Sequence, residues 1–166
     1  MLGVRPVLAH EWPTYRDLRL RALQEAPDAF GSTFAAEAMR SDAAWAQRIL
    51  AATTSGKDCP LFAFYGKQVC GLIWCKVPAD EPSRADLYQM WVAPEARGRG
   101  AGRALLEAAV DWASKKGCRE LHLGVTAADS PALRLYQSHG FRALGPLQPL
   151  RVGSPLMVQA MVLEVN

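Results

Sequence analysis

The chain has no apolar run near the ~20 residues a membrane-spanning helix requires. Residues 1–12 lack the basic start and apolar core of a secretory leader, so none is expected. It holds four cysteines, Cys59, Cys70, Cys75 and Cys118, and three histidines. No two cysteines form Cys-x-x-Cys and no histidine joins them at zinc spacing, so no metal site is expected. Three of the cysteines lie in apolar, strand-like stretches. That is the pattern of buried free thiols in a reducing compartment, and a cytoplasmic location is expected. There is no long Lys/Arg run and no aromatic-basic recognition motif, and the net charge is only +3. A nucleic-acid-binding role is therefore not expected. Repeats, low-complexity segments and linkers are also missing, so residues 1–166 read as one domain. Half of the residues (50%) are hydrophobic, which is enough for a substantial core.

The informative stretch is Leu87 to Gly117. A β-prone run, Leu87 to Val92, is closed by Pro94, since proline cannot donate to a sheet ladder. A basic, glycine-rich turn follows: Arg97, Gly98, Arg99, Gly100, Ala101, Gly102, Arg103. Leu105, Leu106, Ala109, Val110 and Ala113 then recur at helical spacing, and Gly117 is placed to end that helix. Strand, glycine turn and helix make an anion site. The first helical amides have no partner within the helix, the dipole is positive there, and glycines let a phosphate approach the backbone. A diphosphate-bearing ligand is expected.

The turn is not a dinucleotide fingerprint, because Arg103 stands where the third glycine of Gly-x-Gly-x-x-Gly belongs. Nor does the chain contain the Gly-x-x-x-x-Gly-Lys-Ser/Thr of a nucleotide P-loop. It does contain Arg-x-x-Gly-x-Gly at Arg97, Gly100 and Gly102, preceded by Met90-Trp91-Val92-Ala93-Pro94 and followed by Leu135-Tyr136-Gln137-Ser138-His139-Gly140-Phe141. This combination resembles the GNAT superfamily of N-acetyltransferases, from about Gly66 to Leu144. The resemblance implies acetyl-coenzyme A as the cofactor, coenzyme A as the product, and a primary amine on a small molecule or protein as the acceptor.

Read in order, Val4 to Leu8 predicts a strand. Pro13 to Ala26 predicts a helix with Tyr15, Leu18, Ala22 and Leu23 on one face and Arg16, Asp17, Arg19 and Arg21 mostly off it. Ser41 or Asp42 can cap a second helix through Leu50, with a polar loop over Thr53 to Asp58. Leu61–Tyr65 and Val69–Val77 flank Gly66-Lys67 as a hairpin. The strand Asp86 to Val92 precedes the turn and its helix. Leu121 to Thr126 alternates as a strand, Ser130 and Pro131 open a helix through His139, Phe141 to Leu144 starts a short strand, and Leu156 to Val165 is the last. The expected class is α/β (α+β), with about seven strands in a mixed sheet flanked by about four helices. The GNAT resemblance implies a mostly antiparallel sheet, with a V-shaped splay between the strands around residues 86–92 and 120–126. A homodimer through the final strand is open.

Amine acetylation needs a neutral amine, a polarised thioester carbonyl and a stabilised leaving thiolate. By resemblance, backbone groups of Met90, Trp91 and Val92 hold the thioester at a bulge, and residues 97–103 hold the diphosphate. Tyr136 is the candidate general acid, and also a cofactor contact. Asp129 stands where many family members carry asparagine. It reads as a helix cap first and a cofactor contact second. Asp86 and Glu37 are the candidate bases; Gln89 cannot act as one and is placed in the acceptor pocket. Phe30, Ser32, Thr33 and Phe34 are expected to wall that pocket. The acceptor is expected to attack the thioester directly in a ternary complex. The alternatives are a non-catalytic acyl-coenzyme A sensor and, behind it, another nucleotide-binding domain.

Overall fold

The computed structural model describes residues 1–165. The strands are β1 (Leu2–Pro6), β2 (Asp58–Tyr65), β3 (Gln68–Lys76), β4 (Arg84–Val92), β5 (Glu120–Thr126), β6 (Arg142–Ala143), β7 (Gln148–Pro149) and β8 (Met157–Glu164). The helices are α1 (Trp12–Glu25), α2 (Phe34–Ala38), α3 (Asp42–Ser55), α4 (Ala101–Lys115) and α5 (Pro131–Ser138). All eight strands lie in one sheet of order β1-β2-β3-β4-β5-β8-β6, with β7 also on β8. Every pairing is antiparallel except β4 with β5. The expected mixed, mostly antiparallel sheet is therefore present.

The parallel pair is brief. Arg84, Ala85 and Asp86 register with Glu120, Leu121 and His122, and the two strands then lose each other. This is the expected splay, and it opens just past Asp86. β4 keeps its other neighbour, but the register with β3 shifts between Leu72 and Trp74. Leu72 faces Trp91 and Trp74 faces Tyr88, so β4 carries one residue more than β3 at Gln89 and Met90. Gln89 has φ +63°, a left-handed backbone that only a bulge would impose on a non-glycine residue here.

Period-two alternation sends neighbouring residues to opposite faces. Leu61 and Ile73 join Leu105, Leu106 and Leu121 under α4 and α5. Phe62 and Leu72 join Tyr15, Trp45, Ile49 and Trp91 under α1 and α3. Gly71 permits a close crossing at the first of these cores. A Cβ there would sit 2.9 Å from the Trp91 carbonyl oxygen and 3.2 Å from Leu105 Cδ1.

The departures from the sequence reading have local causes. α2 is five residues long, too short to show a period, and is started by Thr33 Oγ1 accepting from Ala36 N at 3.2 Å. α3 runs through the predicted loop to Ser55. The hydroxyls of Thr53 and Thr54 bond back to the Leu50 carbonyl at 3.1 and 2.9 Å, and Gly56, at φ +71°, ends the helix. β7 lies inside the stretch read as a proline-containing loop. β8 is flanked by β5 on one edge and by β6 and β7 on the other, so the edge through which a dimer was argued is occupied within the chain. No helix among the described residues is long and apolar enough to cross a membrane.

Candidate active site

The site is assembled where β4 leaves β5. Ala93 N–H donates to Cys70 O of β3 at 2.8 Å. By strand alternation the neighbouring Val92 N–H points the other way, into the opening. The Met90 and Val92 side chains approach Gly102 at the start of α4, while Trp91 packs in the core beneath α1.

Within the basic turn, Gly98 and Gly100 have φ +79° and +89°. Gly100 is the N-cap residue of α4, and no side chain caps the helix. The first intrahelical bond is Ala104 N–H to Gly100 O at 3.0 Å, so the amides of Ala101, Gly102 and Arg103 have no helical acceptor. The three arginines differ. Arg97 donates from Nε to Val92 O at 3.0 Å and pairs with Glu25 of α1. The Arg97 hydrogen bond, helped by Trp91 Nε1 at 2.9 Å, holds the Glu25 carboxyl below its ordinary range. The Arg99 guanidinium stacks over the Tyr65 ring at 5.1 Å, and Arg103 is exposed. Gly102 is different in kind from its neighbours. A Cβ there would meet Leu135 Cδ2 at 3.2 Å, so its bareness serves the packing of α4 against α5.

On the α1–α3 side, a cavity of about 930 Å³ spans the splay. Leu87, Tyr88 and Gln89 of β4 form one wall, and Gly124 and Thr126 of β5 the other. Phe30 and Ser32 border it; Phe34 is partly buried against the α1–α3 core and does not line it, and Thr33 is the α2 cap. Gln89 also borders it, accepting from the Tyr15 hydroxyl at 2.6 Å.

The titratable candidates are unevenly free. Glu37 is buried and forms ion pairs with Arg40 and, at 3.3 Å, with Arg48. Burial pushes its carboxyl up, but the two arginines win and leave it below the ordinary value. It does not border the cavity. Asp86 takes Arg84 Nε at 2.9 Å and the Tyr88 hydroxyl at 3.2 Å. Burial first, and then the Asp86 charge, push the Tyr88 phenol up to about 12. Tyr136 is buried on α5 against Phe141, with ring centroids 5.9 Å apart, and burial drives its phenol well above the usual value. It lies on the α4–α5 side, outside the residues that line the cavity. Asp129 is exposed and pairs with Arg134 at 2.6 Å; the α5 cap is Ser130, whose Oγ accepts from Leu133 N at 3.1 Å.

Several cavity residues escaped the sequence reading: Arg19, Arg48, Asp58, Lys76 and Tyr88. Arg19 was read off the buried face of α1, yet it is 3% exposed. Its spacing carried a signal, since it lies four residues after Tyr15 and three before Ala22, both fully buried. The other four have no motif around them.

Residues 12–141 match the family model described as the acetyltransferase (GNAT) family. Mycothiol acetyltransferase of Renibacterium salmoninarum is 39% identical over 77 residues, which are 45% of this chain and 23% of that protein. The matched region thus spans about a quarter of the length of such curated relatives. A GCN5-related N-acetyltransferase from Kribbella flavida superposes with a TM-score of 0.79 at 26% identity, covering 99% of this chain and 98% of that one. The yncA protein of Salmonella typhimurium, solved with its cofactor acetyl-CoA, superposes with a TM-score of 0.81 at 17% identity, covering 99% and 94%.

Proposed function

The chain belongs to the GNAT acetyltransferase family, and from that premise we propose that it transfers an acetyl group from acetyl-coenzyme A to a primary amine by direct attack in a ternary complex. The observation that carries the reading is the arrangement about β4: the uncapped α4 start on one side of the sheet, the bulge at Gln89, and a cavity on the α1–α3 side that Gln89 borders.

The diphosphate sits on the amides of Ala101, Gly102 and Arg103, with arginines of the turn as counter-charges. The Val92 N–H faces the thioester and meets charge developing on its carbonyl oxygen. Tyr136 stays protonated at neutral pH because burial disfavours its anion. Its phenol is a weaker acid than a thiol, whose pKa is ~8.5. It therefore acts by donating a hydrogen bond to the leaving thiolate. The amine enters from the cavity, and its proton passes through the Tyr88 hydroxyl to Asp86. Asp86 is preferred to Glu37 as the base because Glu37 is committed to two arginines away from the cavity.

Calorimetric titration with acetyl-coenzyme A, using coenzyme A, NAD and ATP as comparators, tests the cofactor. Saturable binding of the coenzyme A forms alone is expected. NAD or ATP competing as strongly would overturn the assignment. A second reading, a non-catalytic acyl-coenzyme A sensor, draws support from the engagement of both candidate bases in ion pairs. Thiol release in a broad amine screen separates the two.

A further inference from the structure

Two charged side chains among the described residues are buried, Arg19 and Glu37. Glu37 is answered by Arg40 and Arg48. Arg19 makes no ion pair or hydrogen bond among the described residues: the Glu37 charge acts on it only from beyond contact, and its Nε and Nη1 are buried without a hydrogen-bond partner. An apolar side chain could fill this place without the desolvation cost of an unpaired guanidinium. A position that keeps such a charge is suited to holding an anion the fold itself does not contain.

Arg19 borders the cavity on the α1–α3 side of the splay. Its guanidinium lies over the Phe30 ring at 4.8 Å, which fixes its plane; Nε and Nη1 are enclosed, and Nη2 is the donor not among the enclosed atoms. The other charges on the cavity wall do not neutralise it. Arg48 is shared with Glu37, and Lys76 adds positive charge. Asp58 is held by Trp74 Nε1 at 3.1 Å and the Ser55 hydroxyl at 2.9 Å.

The geometry also sets a scale. Tyr15, one turn before Arg19 on α1, donates to Gln89 at the bulge. Four helical residues rise roughly 6 Å. We infer that the acceptor is a short amino carboxylic acid, its carboxylate taken by Arg19 and its amine presented to the bulge at Gln89. The inference rests on the acetyl-transfer reading and adds the class of substrate to it.

Matched probes test it. Glycine, β-alanine, 4-aminobutyrate and a set of α-amino acids are each compared with their primary amides in a thiol-release assay with acetyl-coenzyme A. The same compounds are titrated against the coenzyme A complex by calorimetry, for the wild type, Arg19→Met and Arg19→Lys. The acids are expected to be preferred, with a KM raised on the order of 100-fold in Arg19→Met. The amide KM values and the cofactor affinity should stay unchanged. Arg19→Lys, which keeps the charge and loses the fork, should fall between. Melting separates binding from folding: Arg19→Met should melt at or above the wild-type temperature, because an unpaired buried charge has gone. Acids that bind only when Arg19 is present sustain the inference even if no thiol is released, and then it is the transfer reading that fails. Amides used as well as acids, or unchanged acid KM values in Arg19→Met, overturn the inference and leave transfer intact. If the acids neither bind nor react, the inference is overturned as well.

Discussion

Gly100 and Gly102, two residues apart in the same turn, have different requirements. Gly100 needs a left-handed backbone, and a Cβ there would meet nothing within 4 Å. Gly102 has an ordinary backbone and a crowded Cβ position beside Leu135 and Met90. Gly100→Asp should therefore cost about 1 kcal/mol of stability through backbone strain and abolish acetyl-coenzyme A binding, since the carboxylate faces open space beside the proposed diphosphate. Gly102→Asp should also lose binding, but by forcing α4 away from α5, with a clear fall in melting temperature. Calorimetry paired with thermal melts distinguishes them; equal melting temperatures would contradict the packing role of Gly102. Tyr136 makes the complementary case. No hydrogen bond to its hydroxyl occurs among the described residues, so Tyr136→Phe should keep its melting temperature and cofactor affinity. Turnover should fall on the order of 100-fold. Turnover that stays at the wild-type rate would remove Tyr136 from the chemistry.

At the scale of elements, α2 shows how a short helix acquires a structural duty. It places Glu37 under α3, where the carboxylate holds Arg40 and Arg48. The folded-state carboxyl lies below its ordinary value, so its contribution is fully present above the unfolded pKa of ~4.3 and disappears as pH falls through the folded value. Glu37→Gln should cost roughly 2 kcal/mol at neutral pH. Denaturant melts of both proteins between neutral pH and the acid range should show that gap closing below ~4.3. A gap that persists unchanged in acid would mean the pair contributes little. The same variant keeps the base assignment honest. If Glu37 were the base, turnover would collapse out of proportion to stability.

Taken whole, the molecule is two sheet halves joined by three residue pairs, Arg84–Asp86 with Glu120–His122. β4 beyond that seam has an open side. Amide exchange at Val92 should be fast in the free protein and slowed by acetyl-coenzyme A, whereas Ala93, bonded to Cys70, should be protected in both. Equal protection of Val92 with and without cofactor would contradict the proposed thioester contact.

How much of this could be read from the chain follows from what is local. The glycine turn, the amphipathic α4, the Gly66-Lys67 hairpin and the Ser130 cap each advertise themselves within a few residues, and each is found where it was expected. The bulge at Gln89 could not be read from the residue, because glutamine gives no sign of a left-handed backbone; register with β3 imposes it. The cavity was only partly legible. Phe30, Ser32 and Gln89, expected in a pocket, border this cavity, but the arginines that give the wall its charge sit on helices whose faces the sequence assigned by hydrophobicity alone. Arg19 was misplaced because that criterion sorts a buried charge to the surface.

The Arg97–Glu25 pair has a further consequence, concerning the order of events. Glu25 is the last residue of α1, the helix that also carries Arg19 on the cavity wall. A diphosphate arriving at the turn must compete with Glu25 for Arg97, so the protein carries its own competitive anion. Removing that competitor, in Glu25→Gln, should tighten acetyl-coenzyme A binding by about 1 kcal/mol, the measure of one exposed ion pair. When the cofactor does win Arg97, α1 loses a tether at its end. The acceptor wall then registers that the cofactor site is filled, and initial-rate kinetics should show compulsory order, with cofactor first.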